Sequence, residues 1–401
     1  MSCVIQPALW LLTIIVGLPQ ISETIYTPAL PDIARFLAVA ENWVEYTLTI
    51  YLVGFAIGTF VWGNLSDRLG RRPCLLFGLL IYIFGCIGCY FSQSITTLMI
   101  SRFVQALGGS TGSVLGQAIC RDVFHGAQRG KAYATIGSAL ALSPAIGPVL
   151  GGIIDQSFGW SAIFLLLICM GLIVFALSWA TLPETHLQPS SSLTLIRRVA
   201  VQLFYDRRAL GFGMLIAAIN GIQFSYYAEG SFYLIDLLGL SPATYGLTFL
   251  LLAFAGMIGG WLSRKLHDNL TSEDILFYGI LVVIFAAMIF TGGTLLLSYC
   301  SMPAMMSIIL TLCSMMLIMV GSGMVIPSCL SLAVEEYRYA IGTASSLFGF
   351  FYYILIALFT MIMGMLHNDS LLRMPLYFLG IGCFMAAIFW KTIRKQQGIS
   401  L

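Results

Sequence analysis

Charge is what this sequence lacks. Asp, Glu, Lys and Arg make up 9% of its 401 residues, against 59% apolar residues and a mean hydropathy of +0.94. A soluble chain carries about 25% charged residues. This one cannot clothe a globule in water, so its solvent is lipid. Other absences narrow the reading. No basic tract is present, which excludes a nucleic-acid partner. No Gly-rich phosphate loop is present, so ATP is not the energy source within the chain. No metal-ligand spacing, nucleophile arrangement or clustered catalytic set is found, which argues against an enzyme and leaves no cofactor to expect. The N-terminus enters apolar sequence without a charged leader region or a small-residue cleavage site, and is expected to be a retained first span. Cysteine is not scarce, but most of the 10 lie inside apolar runs. "CIGC" at 86–89 has metal or redox spacing, yet no His accompanies it, and it reads as two small apolar side chains one turn apart.

What is present in quantity is the long apolar run. About 20 apolar residues cross a bilayer as a helix. Charge-free stretches of that size cover residues 46–66, 73–101, 132–154, 156–183, 209–228 and 237–263. Residues 275–334 form 60 residues without a charge, read as two spans broken at "SYCSMP". With the ends and the run after Arg102, the count is twelve, centred near residues 16, 54, 83, 108, 143, 171, 220, 252, 286, 316, 352 and 382.

The few charges are sorted by side. With both termini in the cytoplasm, inner loops and tail hold 16 of the 19 Lys and Arg residues; Arg35 and Arg373 fall outside and Arg102 lies within a span. The opposite orientation would reverse that bias. The longest connection, residues 183–208, contains Pro, a Ser run and paired Arg. It divides the chain into an N-terminal six-helix bundle (1–182), a cytoplasmic linker (183–208) with a short amphipathic helix near 194–204, and a C-terminal six-helix bundle (209–401).

The halves echo each other. "GNLSDRLG" (63–70) aligns with "GWLSRKLH" (260–267) at Gly63/Gly260, Leu65/Leu262, Ser66/Ser263 and Leu69/Leu266, each after the second span of its half. Such a repeat marks a transporter of two related bundles with a site between them. The whole chain resembles the major facilitator superfamily, in its twelve-span drug:proton antiporter branch, and most closely the bicyclomycin/chloramphenicol-resistance (Bcr/CflA-like) type. The loop motif Gly-x-Leu-x-Asp-Arg-x-Gly-Arg-Arg is met by Gly63, Leu65, Asp67, Arg68, Gly70, Arg71 and Arg72. "RFVQALGG" (102–109) resembles the span-4 motif through Arg102, Gln105 and Gly108, with Ala106 in place of a Gly. "GPVLGG" resembles the span-5 antiporter motif through Gly147, Pro148, Gly151 and Gly152, with Ser143 replacing an upstream Gly. "YTPALPDIA", "LPET" and "GTASSLFGF" resemble the drug-resistance subgroup. The implied fold is all-α: twelve transmembrane helices in two pseudo-symmetric six-helix bundles.

Each motif carries a physical expectation. Residues 63–73 are expected to form a tight inner loop. Gly63 and Gly70 permit close approach and positive φ, and Asp67 can accept from a helix N-terminus. By resemblance that helix is span 11, beginning near residues 340–343, so that Gly63, Asp67, Arg68, Gly70, Arg71 and Arg72 form a conformational latch. Plain positive-inside anchoring explains the Arg residues but not the Asp. The resemblance makes the span-5 motif a leak-tight interface against span 8, near Gly256 and Gly260; a kink without special role is the alternative. Gly108, Gly112 and Gly116, and Gly54 and Gly58, are read as small faces for close helix packing.

Three charges lie within spans: Glu23, Arg102 and Glu229. Such residues are costly unless paired or facing water. Glu23 of span 1 and Arg102 of span 4 fall at similar depths and are expected to share the central cavity, Glu23 exchanging a proton under the influence of Arg102. Burial and a neighbouring cation pull a carboxyl's proton affinity in opposite directions, so such a pair can be tuned by substrate and conformation. A static ion pair is the competing reading, and the subgroup's usual Asp is Thr24 here. Glu229 reads as a lining of the outer mouth, a second proton site, or an acidic residue at the interface. Asp32, Glu41 and Glu45 are placed outside without a role. The substrate wall is expected from Tyr26, Gln105, Asn220, Gln223, Tyr226, Tyr227, Phe348, Phe351 and Tyr352, aromatic surfaces with few polar groups.

These features add up to proton-coupled antiport of small amphipathic compounds or drugs by alternating access. The partners are a small-molecule substrate, protons and the lipid bilayer, for a monomeric, multi-pass protein of the bacterial inner (plasma) membrane with both termini cytoplasmic. Export of a specific metabolite such as a siderophore, peptide or sugar is the close alternative; an importer or a non-transporting sensor fits less well.

Overall fold

The computed structural model describes residues 7–185, 193–300, 303–333, 337, 341–368 and 370–394. The first span is broken: α1 (Leu9–Thr24) gives way to a tight turn at Thr27–Ala29 and then α2 (Leu30–Leu37). There follow α3 (Glu41–Leu69), α4 (Arg71–Tyr90), α5 (Ile95–Val123), α6 (Gly126–Phe158) and α7 (Ser161–Thr181). After α8 (Leu193–Tyr205) come α9 (Arg207–Ser231), α10 (Pro242–Leu266), α11 (Ser272–Tyr299), α12 (Ala304–Ala333), α13 (Ile341–Leu366) and α14 (Arg373–Ile388). Wider-pitch turns extend α9 through Phe232–Leu237 and α14 through Phe389–Arg394. Counting α1 with α2 and setting α8 aside leaves twelve spans, each containing one of the twelve expected centres. Among the described residues, eleven are long and apolar enough to cross a membrane. The other is α5, which carries Arg102, Arg121 and Asp122.

Helix starts follow local chemistry. Ser94 and Thr271 open α5 and α11 with reciprocal side-chain-to-amide bonds, while Asp206 and Ser241 cap α9 and α10. Within spans, Thr291, Thr294, Thr311 and Ser328 return their hydroxyl protons to the carbonyl four residues back, so they bury no unmet donor. Large apolar side chains such as Phe77, Phe84, Ile173, Phe254, Phe285 and Leu296 face outward. That surface belongs in lipid, and the chain is a multi-pass membrane protein.

Helices α1–α7 form one bundle and α9–α14 the other. The bundles meet chiefly along two crossings, α3 against α13 and α6 against α10. These are equivalent positions in the two halves, as the repeat at 63–70 and 260–267 requires. Small residues set the approach. Pro19 leaves the Ile15 carbonyl without its helical donor. Gly112 of α5 comes against that oxygen, where a Cβ would stand 2.4 Å away. Gly116 packs on Val16 of α1, whereas Gly108 packs on Tyr82 of α4, so Gly108, Gly112 and Gly116 serve two neighbours. Gly54 and Gly58 of α3 meet α5.

The span-5 motif packs on both α1 and α10. A Cβ at Gly151 would stand 1.6 Å from the Ile25 carbonyl oxygen, and one at Gly152 would stand 2.3 Å from that of Pro242. The partner helix is the expected one, but the contact lies at Pro242–Gly246 rather than at Gly256 and Gly260. Gly256 faces Met319 of α12, and nothing lies within 4 Å of a Cβ at Gly260. The reason is register: Gly152 is near the end of α6, where α10 begins.

Gly151→Val must therefore push α1 off α6. Overpacking of this kind costs about 1–3 kcal/mol or more, and a lower melting temperature in detergent is expected. Gly260→Ala, into open space, is expected to leave it unchanged or raised.

Candidate functional site

The first span breaks where its sequence changes from apolar to "YTPALP", and the break brings the Glu23–Tyr26 segment to the bundle interior. Arg102 of α5 is fully buried beside it. Its Nη1 donates to Gln105 Oε1 at 2.5 Å and to the Ser22 carbonyl at 3.4 Å. Its guanidinium carbon lies 3.9 Å from the centre of the Tyr26 ring and 4.2 Å from that of Tyr51. Two aromatic faces thus stabilise a cation that has no anionic ligand in contact among the described residues. Gln105 relays onward, donating to Ser22 Oγ at 3.2 Å and Cys86 Sγ at 3.0 Å. Tyr26 shares a hydrogen bond with Thr47, and Tyr51 donates to the Pro19 carbonyl.

Glu23 is 2% exposed, and its Oε1 has no hydrogen-bond partner among the described residues. It feels the charge of Arg102, but no ion pair joins them within 4.0 Å. Tyr227, Tyr352 and Tyr353 of the second bundle lie within its electrostatic reach. The expected neighbours are brought together, without the direct contact that a static pair would need.

The expected wall residues are dispersed around this centre. Tyr26 and Gln105 belong to the Arg102 network. Asn220 donates to its own helix at Ile216, and Gln223 binds Ser322 of α12. Tyr226 packs on Tyr245 and Phe249 of α10, and Tyr227 lies between Phe224 and Phe249, edge-on to the first and tilted against the second. Phe348 and Phe351 press on Gly213 of α9, and Tyr352 lies against Phe348 and Tyr353. Tyr353 itself meets Phe55 of α3 across the bundle crossing, 4.8 Å between ring centres. It was not among the expected residues; the aromatic triplet "FYY" offered it no distinguishing mark.

At one face of the molecule, the expected loop over 63–73 contracts to a single residue. Helix α3 continues through Leu69, and α4 starts at Arg71. Gly70 between them takes φ +100°, a conformation open to glycine. Asp67 and Arg68 are helical because their side chains find partners or solvent without leaving the helix. Arg71 is 3% exposed and pairs with Asp67 at 2.6 Å and Asp122 at 3.1 Å, while donating to Ser66. Arg72 donates to the Trp179 carbonyl, and Arg68 is exposed. The anion at a helix N-terminus here is Glu184, which accepts from the Arg71 and Arg72 amides at 2.9 and 3.1 Å. Its signal was the "LPET" motif. The contact from this segment to α13 is made by Gly63, whose Cβ position lies 3.3 Å from Ser346. Residues 338–340 lie outside the described residues, and the described ionic partner of Asp67 is Arg71.

The opposite face holds a cluster that the sequence did not announce. His367, just after α13, has Nδ1 2.8 Å from Glu229 Oε2 and 3.3 Å from Glu45 Oε1, and Nε2 2.9 Å from Glu41 Oε2. Burial disfavours the charged imidazole, but the carboxylates of Glu229, Glu41 and Glu45 outweigh it and push the His367 pKa up to about 12. Glu229 thus meets His367 and Glu45, and Glu45, expected on the outer side without a role, is 1% exposed. The signal was Glu41 and Glu45 at i and i+4 on one helix face. Nearby, Arg35 of α2 pairs with Asp32 and, at 3.0 Å, with Asp236 beyond α9.

The Major Facilitator Superfamily sequence model matches residues 12–360. The chain belongs to the Major Facilitator Superfamily. It is 34% identical over 394 residues to an uncharacterized transporter of Rickettsia bellii (strain RML369-C), covering 96% of each chain. It is 28% identical to Multidrug resistance protein D of Escherichia coli (strain K12), covering 85% of this chain and 84% of that one. A solved D-xylose-proton symporter shares the fold, with a TM-score of 0.79, 16% identity and coverage of 98% and 99%. As a superfamily member the protein is a transporter of small molecules, with two bundles around a shared interface.

Arg71→Met would leave Asp67 and Asp122 without their buried cation. Breaking such a pair costs roughly 3–5 kcal/mol, so a clear fall in melting temperature and in folded yield is expected. Exposed Arg68→Gln should change neither.

Proposed function

We propose that this transporter exports small amphipathic compounds, drugs among them, in exchange for protons across the bacterial inner membrane. One observation carries the reading: Glu23 is a buried carboxyl without a hydrogen-bond partner at Oε1, at the meeting of the bundles, beside a buried Arg102 held by rings rather than by an anion. A buried charge unpaired in a span marks a proton or ion pathway. Movement of the tyrosines of the second bundle changes the polarity around Glu23, so bundle rocking and proton exchange are linked through one side chain.

The drug-resistance character draws support from the sequence motifs of that branch and from the relative named for multidrug resistance. Tyr26, Gln105, Asn220, Gln223, Tyr226, Tyr227, Phe348, Phe351 and Tyr352 then form the wall that the opened cleft presents to substrate. Residues 183–208 link the two bundles on the cytoplasmic side, with Gly63, Asp67, Arg68, Gly70, Arg71 and Arg72 as the latch there. Gly147, Pro148, Gly151 and Gly152 form the seal against α10. Glu229 acts at the periplasmic face. A monomer contains all of these parts.

The test is efflux from inside-loaded proteoliposomes under an imposed pH gradient, over a chemically varied panel. Wild type is expected to export several amphipathic compounds faster as the gradient steepens. Glu23→Gln should abolish the gradient dependence while exchange down a substrate gradient persists. Proton coupling retained in Glu23→Gln would refute the assignment. Asp67→Asn should slow initial rates with membrane levels unchanged.

A further inference from the structure

The cluster on the face opposite Gly70 has the makings of a metal site. Glu45 of α3, Glu229 of α9 and His367 after α13 each offer a ligand atom, all within 4.8 Å of one another. Both oxygens of Glu45 are buried and have no hydrogen-bond partner among the described residues. The residue is 1% exposed, and its carboxylate is aimed at the imidazole across Gly364, whose Cβ position lies 3.0 Å from Glu45 Oε2. A side chain at 364 would close that space.

The imidazole is presented in the manner of a metal ligand. Nε2 faces the half-exposed Glu41 at 2.9 Å, and Nδ1 faces the two buried carboxylates. A carboxylate holding one ring N–H fixes the tautomer and leaves the other nitrogen free to ligate. Charge agrees: as ligands, Glu45 and Glu229 would supply two negative charges, which a divalent ion beside a neutral imidazole would balance. Distances agree as well. Ligand bonds of 2.0–2.2 Å in a tetrahedral site place neighbouring donor atoms about 3.4 Å apart. Nδ1 and Glu45 Oε1 are already 3.3 Å apart, while Glu229 Oε2, at 2.8 Å, has only to give up its hydrogen bond and withdraw by roughly half an ångström.

We propose that Glu45, Glu229 and His367 form a binding site for a divalent first-row transition metal ion, with Glu41 as the carboxylate that orients the imidazole. The nitrogen and oxygen donors suit Zn²⁺, Co²⁺ or Mn²⁺, without a thiolate. The metal displaces the imidazole proton as it binds. Because Glu45 belongs to the first bundle and Glu229 and His367 to the second, the bound ion staples the two bundles together at this face. Metal on this side would then hold the transporter closed there; this consequence rests on the transport reading, while the site itself does not.

The experiment uses the purified full-length protein in detergent. Zn²⁺ titrated calorimetrically should bind at one site, with affinity at least about tenfold weaker in His367→Gln and in Glu45→Gln. Glu45→His, which replaces one ligand by another, should retain binding. Zn²⁺ should raise the melting temperature of wild type and of Glu45→His but not of the two Gln variants, whose metal-free melts report whether they fold. Co²⁺ identifies the donors, since the free cysteines are the competing ligands: weak visible bands without thiolate charge transfer are expected. Equal Zn²⁺ affinity in wild type and His367→Gln would overturn the proposal, as would a thiolate spectrum with Co²⁺ or lost binding in Glu45→His when that variant folds. Zn²⁺ added on this face of proteoliposomes should slow efflux by wild type and spare His367→Gln. Binding without slowing would overturn the staple and leave the export reading to its own test.

Discussion

Lipid offers no hydrogen bonds, and the rest of this structure depends on that constraint. Every polar group within the spans must find its partner inside the protein. Most do so locally, as threonine and serine hydroxyls return to their own helices. Others are met between helices by close approach: the carbonyls of Ile15, Ile25 and Pro242 face glycines of neighbouring spans, so backbone lies on backbone where a side chain would not fit. Against that background the exceptions are conspicuous. Among the described residues, Glu23 has an oxygen without a hydrogen-bond partner, Arg102 rests on rings, and Glu45 is buried without a hydrogen bond. Such sites are costly in hydrocarbon, which is why the proposed proton and metal sites are placed there.

The charges on the two faces are wired differently. On the Gly70 face, Arg71 ties α3, α4 and α5 through Asp67 and Asp122, and Glu184 holds the start of α4 from beyond α7. These bonds lie within the first bundle or join it to the segment after α7. They make it rigid without binding it to the second, which it meets here through Gly63 against Ser346 and Phe60 against Phe350. On the opposite face, the ionic contacts run between bundles: Arg35 to Asp236, and His367 to Glu41 and Glu45. Rocking requires contacts that can be broken in one place and bodies that hold together elsewhere, and this distribution supplies both.

The architecture was legible because it follows from sums over long windows. Twelve apolar runs, a basic bias on one side and an echo at 63–70 and 260–267 specify twelve spans and two related bundles with no knowledge of contacts. The tight α3–α4 link was half legible. Gly70 marks the break, but whether Asp67 and Arg68 belong to helix or loop depends on Arg71 finding Asp122 and on Glu184 arriving from 113 residues away. The site was legible only where one residue was anomalous by itself. Glu23 and Arg102 stand out in apolar runs. Glu45 does not, because at a span's edge an acidic residue is ordinary. Its burial is decided by α9 and by the segment after α13, far off in sequence. The same limit misplaced the α6–α10 contact by ten residues or more, since the register of two helices in contact is not written in either one.

That limit also explains why a cluster such as Glu41, Glu45, Glu229 and His367 is found last. Each member has an innocuous local setting, and its chemistry exists only when both bundles are present and closed on this face. Four groups of which three are acidic cannot be packed together at no cost; the imidazolium balances only one carboxylate. The closed face is therefore held by an interaction whose strength depends on what cation occupies it, whether a proton on His367 or a metal ion in its place. The Arg35–Asp236 pair at the same face has a permanent cation, because arginine keeps its charge. Two kinds of tether, one fixed and one exchangeable, thus hold the same seam, and the exchangeable one is where the surroundings act on the closure.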